Sequence, residues 1–154
     1  MASIQDTLAR EGITLPKPTA PLANYVPVAI TGNLAIISGQ LPMEDGALAV
    51  TGKLGAGVSI EDGQRAARIC LINALAQIEA NVPGGLARVK RIVRLGGFVA
   101  SSPDFADHAK VINGASDLAV ALFGDAGRHA RAAVGVAALP FDAAVEVEAM
   151  VELA

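Results

Sequence analysis

Between Val145 and Leu153 the chain alternates without a break. Val145, Val147, Ala149, Val151 and Leu153 fall on one side, and Glu146, Glu148, Met150 and Glu152 on the other. A period of two belongs to a β-strand with one face toward a core and the other away from it. A sheet containing that strand needs cover on its apolar side, and the cover has to come from elsewhere in the 154 residues, a length that supports one domain.

Two amphipathic segments can supply it. Ser59 reads as an N-cap, followed by Glu61 and Asp62 in the first turn, where the helix dipole favours anions. Ala66, Ile69, Cys70, Ala74 and Ile78 then recur at spacings of three and four, with Asn73 a polar exception. Arg65, Arg68, Gln77 and Glu79 fall off that stripe, and the helix is expected to end near Asn81, ahead of Pro83-Gly84-Gly85. Ser102-Pro103-Asp104 predicts a second helix with proline at its first position. Phe105, Ala109, Ile112, Leu118, Ala119 and Leu122 mark its buried stripe, and Gly124 its C-terminal glycine.

The remaining strands are read from β-branched runs. Val26, Val28 and Ile30, then Leu34 to Ile37 across Thr31-Gly32-Asn33, predict a hairpin. Residues 43–58 are glycine-rich and acidic, a loop with room for a short strand near Leu48 to Val50. Val89 to Val99 is a strand in which Gly96-Gly97 signals a bulge or a close backbone approach. Ala132 to Leu139 is the next. Residues 1–19 form a peripheral lead-in whose short helix is capped by Ser3 and Asp6 and stopped by Gly12; no linker or repeat follows, so 1–154 reads as a single domain. The order β-β-α-β-α-β-β is that of an α+β fold with both helices on one face of the sheet. The other face needs a partner. A charged fraction of 18%, against ~25% in typical soluble domains, agrees with surface hidden in an oligomer.

Several function classes are excluded early. No run approaches the ~18 apolar residues of a membrane span, and the start lacks the basic and apolar regions of a signal peptide. Cys70, alone, cannot form an internal disulfide, and a cytoplasmic location is expected. A net charge of −3 argues against a nucleic-acid partner. The two histidines, His108 and His129, and the one cysteine show no ligand-like spacing, so no metal site is expected. Cys70 lies on a buried stripe and reads as an inert core thiol, and His108 as a partly exposed helix residue. Arg88, Lys90, Arg91 and Arg94 form a basic run without interleaved aromatics, the pattern of a solvated turn. Nucleophile-elbow, phosphate-loop and dinucleotide fingerprints are absent from the sequence.

Arg131 and Glu146 stand apart from these. Arg131 opens a strand, and Glu146 lies fifteen residues later on what reads as a hairpin-like neighbour, on the face without valines. The stretch from Arg131 through Val134-Gly135-Val136 and Leu139-Pro140 to Glu146-Val147-Glu148 closely resembles the C-terminal signature of the Rid family. These are the reactive-intermediate deaminases, also called YjgF-like proteins, L-PSP endoribonucleases or translation inhibitors. Tyr25, thirteen residues before Ser38-Gly39-Gln40, and Pro103-Asp104-Phe105 extend the resemblance from Tyr25 to the C-terminus. The chain departs from the family pattern in four places: His129 for the usual proline, Ala133 for a common cysteine, Ile37 for threonine, and Ala109 for the helical asparagine. Asn113 lies one turn further on, and Asn113-Gly114-Ala115-Ser116-Asp117 looks like a divergent branch.

The resemblance implies a chorismate-mutase-like (bacillus type) α+β fold and a homotrimer with a central β-barrel and inter-subunit sites. It implies hydrolysis of enamines or imines such as 2-aminoacrylate and 2-iminopropanoate to 2-keto acids and ammonia. Arg131 would hold the substrate carboxylate and Glu146 would orient water, the two catalytic groups. Tyr25, Ser38, Gly39, Asn113 and Ala133 would bind substrate. No metal or organic cofactor is required, because the imine is already electrophilic. Two other readings stay open: a regulatory trimer that binds a small carboxylate without turnover, and a ribonuclease. The acidic balance and the lack of a histidine pair count against the second.

Overall fold

The alternating tail finds its cover on the side its valines require. The computed structural model describes residues 2–21 and 23–154, leaving Met1 of the lead-in and Leu22 outside the described residues. The helices are α1 (Ile4–Arg10), α2 (Ile60–Asn81) and α3 (His108–Phe123). The longer strands are β1 (Val28–Thr31) and β2 (Leu34–Gln40). The glycine-rich stretch holds four two-residue strands, β3 (Met43–Glu44), β4 (Ala47–Leu48), β5 (Lys53–Leu54) and β6 (Gly57–Val58). The chain closes with β7 (Val89–Ala100), β8 (Ala130–Val136) and β9 (Val145–Leu153).

Among the described residues, five strands make one sheet in the order β1-β2-β9-β7-β8, antiparallel except for the parallel β7–β8 pair. β9 therefore sits at the centre, with every odd-numbered residue buried and every even-numbered one half-buried. Helices α2 and α3 pack on the odd side and on each other, which confirms an α+β mixed sheet with two helices on one face. Among the described residues no helix is long and apolar enough to cross a membrane.

Local signals hold where a single residue carries them. The Ser59 hydroxyl accepts from the Asp62 N–H at 3.1 Å, and α2 stops one residue before Val82, whose successor is proline. Ser3 and Asp6 form a reciprocal capping box on α1, and Leu8 of that helix is buried in the core. Gly32 supplies the positive φ of the β1–β2 turn. The Gly96-Gly97 pair proves to be a close approach. A Cβ on Gly97 would stand 2.5 Å from Ile112 Cγ1 of α3, while the register shifts of β7 fall earlier, between Val89 and Arg91 and between Ile92 and Arg94.

Four expectations change, each for a reason of context. Gln77 is not off the buried stripe; it is 2% exposed and donates to the Thr19 carbonyl at 2.8 Å. Asn73 likewise donates to the carbonyls of Leu41 and Met43, both at 3.0 Å. Irregular chain crosses this face of α2, and its carbonyls need donors that an apolar stripe cannot supply. Helix α3 starts at His108 instead of Pro103, leaving Ala109 exposed. Ser102 N–H is still bonded to the Leu54 carbonyl at 3.0 Å, and residues 102–105 close a turn that packs Phe105 on the core from outside the helix. Strand β8 runs from Ala130 to Val136, short of Leu139, because Pro140 to Asp142 form a tight turn with Phe141 and Asp142 at positive φ. Finally, β8 and β9 are not neighbours, since β7 lies between them.

Candidate functional site

Arg131 is the second residue of β8 and pairs with Leu95 of β7, which is buried under the helices. Partners in a ladder share a face, so Arg131 emerges on the helix side at the open edge of the sheet. There α3 offers two oxygens. Arg131 Nη1 donates to Asn113 Oδ1 at 2.8 Å and to Ser116 Oγ at 3.1 Å. Asn113 and Ser116 are three residues apart and so lie on one face of α3. Ser116 Oγ is also 2.9 Å from His129 Nε2, and His129 Nδ1 donates to the Gly127 carbonyl at 2.6 Å. Ala133 follows on the same face, half-buried opposite Gly97.

Glu146 is on the opposite face. It pairs with Phe98 of β7 and β9 turns it away from α2 and α3. Its carboxyl lies over Gly39 of β2: a Cβ there would stand 2.9 Å from Glu146 Cδ and 3.1 Å from Oε2, so glycine permits the approach. Burial, and secondarily the charge of Glu148, push its pKa above the usual glutamate range. A carboxylate so placed is a better base than an ordinary one.

Gly39 also borders a cleft of about 380 Å³, walled by Leu41, Met43 and Leu48 and flanked by Tyr25 and Phe141. Tyr25 is 50% exposed at its mouth. The Ser38 hydroxyl donates to the Val26 carbonyl at 2.7 Å, tying β2 to the chain ahead of β1. The structure thus divides the residues singled out in the sequence into two groups. Tyr25 and Gly39 line one cleft, with Glu146 against Gly39 and Ser38 adjoining in β2; Arg131, Asn113 and Ala133 gather at another place. Within one chain Arg131 and Glu146 do not meet: they are on opposite faces, two strand spacings apart and three residues offset along β7, about 14 Å between backbones.

The other singled-out groups are structural. Cys70 is buried, its thiol pushed up by desolvation, with Sγ 3.6 Å from the Val145 carbonyl. His108 contacts Ser101 Oγ at 3.3 Å and meets the Phe105 ring edge-on. Three of the four residues of the basic run have partners in the chain: Arg94 pairs with Glu148, Lys90 with Glu152, and Arg88 donates to the Ala154 carbonyl. Sequence reasoning missed Ser116 and His129. The available signal was the i, i+3 spacing of Ser116 from Asn113, which puts both toward whatever α3 covers.

A mixed sheet carrying two helices on one face is the architecture of the chorismate-mutase-like class of α+β proteins. The sequence profile described as "YjgF/chorismate_mutase-like, putative endoribonuclease" matches residues 5–153, and the chain belongs to this YjgF/RidA/L-PSP family. Among its relatives, Protein TCP17 of Trypanosoma cruzi is 52% identical over 147 residues, covering 95% of this chain and 91% of the relative. The crystal structure of Atu1372 from Agrobacterium tumefaciens, a protein of unknown function, superposes with a TM-score of 0.89 at 51% identity, over 97% of this chain and 91% of that one. A structure from Shewanella oneidensis, described as a "putative endoribonuclease", gives 0.94 at 36% identity, over 99% and 100%.

Proposed function

We propose that the protein hydrolyses 2-imino acids, and their enamine tautomers such as 2-aminoacrylate, to 2-keto acids and ammonia. The site is shared by two protomers of a homotrimer. One protomer contributes Arg131, with Asn113 and Ala133 beside it; its neighbour contributes Glu146, Gly39, Ser38 and Tyr25. The observation that carries this reading is the Glu146 carboxyl, half-buried, of raised basicity, and lying over Gly39, a residue that itself borders the cleft.

The chemistry asks little else. Arg131 holds the substrate carboxylate through parallel N–H donors, a geometry lysine cannot copy. Glu146 takes a proton from water as its oxygen adds to the C=N carbon. The carbinolamine collapses, its nitrogen leaves as ammonia after gaining a proton, and the C=O of the keto acid forms. An imine carbon is electrophilic enough to need no cofactor. Membership of the family supports this reading at the level of reactive-intermediate handling.

The test is turnover of freshly generated 2-iminopropanoate, followed as pyruvate and ammonia. Arg131→Ala is expected to lower kcat/KM on the order of a hundredfold or more, with the circular dichroism spectrum and assembly unchanged. Release at the wild-type rate by that variant overturns the assignment. Pyruvate binding without turnover by the wild type would instead identify a carboxylate-binding regulator.

A further inference from the structure

Arg131 has five N–H donors: one on Nε and two on each terminal nitrogen. Both hydrogens of Nη1 are taken, by Asn113 Oδ1 at 2.8 Å and Ser116 Oγ at 3.1 Å. Among the described residues, Nε and Nη2 have no hydrogen-bond partner, so one edge of the guanidinium is anchored and the adjacent edge is left to a ligand. The anchor extends further. His129 Nδ1 lies 2.6 Å from the Gly127 carbonyl oxygen, which can only accept, so Nδ1 carries the hydrogen. In the neutral ring Nε2 is then an acceptor, and 2.9 Å away the Ser116 hydroxyl donates to it. A hydroxyl whose hydrogen is directed at the imidazole presents its lone pairs to Arg131. The backbone of residue 127 thereby fixes the ring, the ring fixes the serine, and the serine with Asn113 fixes the guanidinium.

We infer that Asn113, Ser116 and His129 are positioning residues that hold Arg131 by one amino group, so that a ligand carboxylate is received side-on at the Nε–Nη2 edge. This rests on the reading of Arg131 as the carboxylate holder. It also assigns a task to His129 and to the Asn113–Asp117 segment, the two features read above as departures from the pattern the sequence resembles. An exposed arginine on an edge strand loses rotamer freedom when it grips a ligand; one already anchored loses less, and its fork is presented in one orientation.

The experiment measures pyruvate affinity by calorimetry and 2-iminopropanoate kinetics for Ser116→Ala, His129→Phe and the double variant, with thermal melts as a control for folding. Each single variant is expected to weaken pyruvate binding about tenfold and to raise KM in proportion, with kcat within about twofold, since the lost interaction serves ground and transition states alike. The double variant is expected to be no worse than the weaker single, because serine and histidine act in series. A purely structural role would move the melting temperature and not produce this KM-only, non-additive pattern. Wild-type pyruvate affinity in both singles, or effects that add in the double, overturns the inference. If the wild type binds pyruvate without hydrolysing imine, and the variants weaken that binding as stated, the relay stands and the hydrolase reading falls. If the wild type neither binds pyruvate nor hydrolyses 2-iminopropanoate, or Arg131→Ala matches the wild type in both, both fall.

Discussion

Glu146 shows how much one glycine and one neighbour can set. Gly39 lets the carboxyl settle on the strand, and Glu148, two residues along on the same face, adds like charge to the cost of burial. The folded-state pKa is raised, so the ionised side chain is disfavoured relative to the unfolded chain, and the stability linked to its protonated form is lost as pH rises through that pKa. Glu146→Gln should therefore raise the melting temperature at neutral pH, and the gain should vanish as pH falls below the ordinary glutamate range. Activity follows the opposite sign, because the base works ionised. The acid limb of kcat/KM is expected above the ordinary glutamate range. Glu148→Gln should move it downward without abolishing the displacement, since burial is the larger cause. An unmoved limb in that variant, measured over pH 4 to 8 (about the span in which such a group titrates), would remove Glu148 from this account.

Between elements, close approach is set by glycines whose partners differ in how far they can yield. At Gly97 an added Cβ would meet the Ile112 side chain at 2.5 Å. At Gly114 of α3 it would meet the Gln64 carbonyl oxygen of α2, and no rotamer change relieves a clash with backbone. Gly→Ala inside a helix ordinarily stabilises by roughly 1 kcal/mol. Here Gly114→Ala should do the reverse, costing more than Gly97→Ala, for which overpacking predicts about 1–3 kcal/mol. Chemical denaturation of the two variants ranks them. Another contact of α2, with irregular chain, explains why Asn73 and Gln77 escape a periodicity argument. Periodicity registers apolar side chains, whereas this stretch of α2 answers to the carbonyls of Thr19, Leu41 and Met43, which fold over it from distant parts of the chain.

For the whole molecule the main fact is that the sheet is covered on one side. Its other face carries Glu146, Glu148 and Arg94 together with Phe98, Met150, Ile36 at 37% exposure and Val134 at 46%. A trimer that pairs this face with the Arg131 edge of a neighbour makes a prediction no single-chain site can share. Arg131→Ala and Glu146→Gln are each expected to be nearly inactive alone, yet mixed and reassembled in equal amounts they should recover about a quarter of wild-type activity. Half the sites draw an intact arginine and half of those an intact glutamate in a cyclic heterologous assembly. No recovery after demonstrated subunit exchange would remove the composite arrangement.

Much of this protein was legible in 154 letters because local physics fixes it. The alternation of 145–153 and the Ser59 cap each involve residues near one another in sequence, and so does the Gly32 turn. The same holds for the Arg131-to-Glu146 stretch, whose resemblance identified the family before any coordinates. What needed the folded chain was every relation between distant segments. The parallel insertion of β7 puts arginine and glutamate on opposite faces, carbonyls of the lead-in claim Gln77, and α3 begins late because Ser102 is still tied to Leu54. His129 and Ser116 belong with these, since a histidine and a serine thirteen residues apart become one device only when the middle of α3 and the chain entering β8 are brought to hydrogen-bonding distance. Nearest-neighbour pattern records which groups want burial, whereas the partners of a polar group are chosen by three-dimensional proximity.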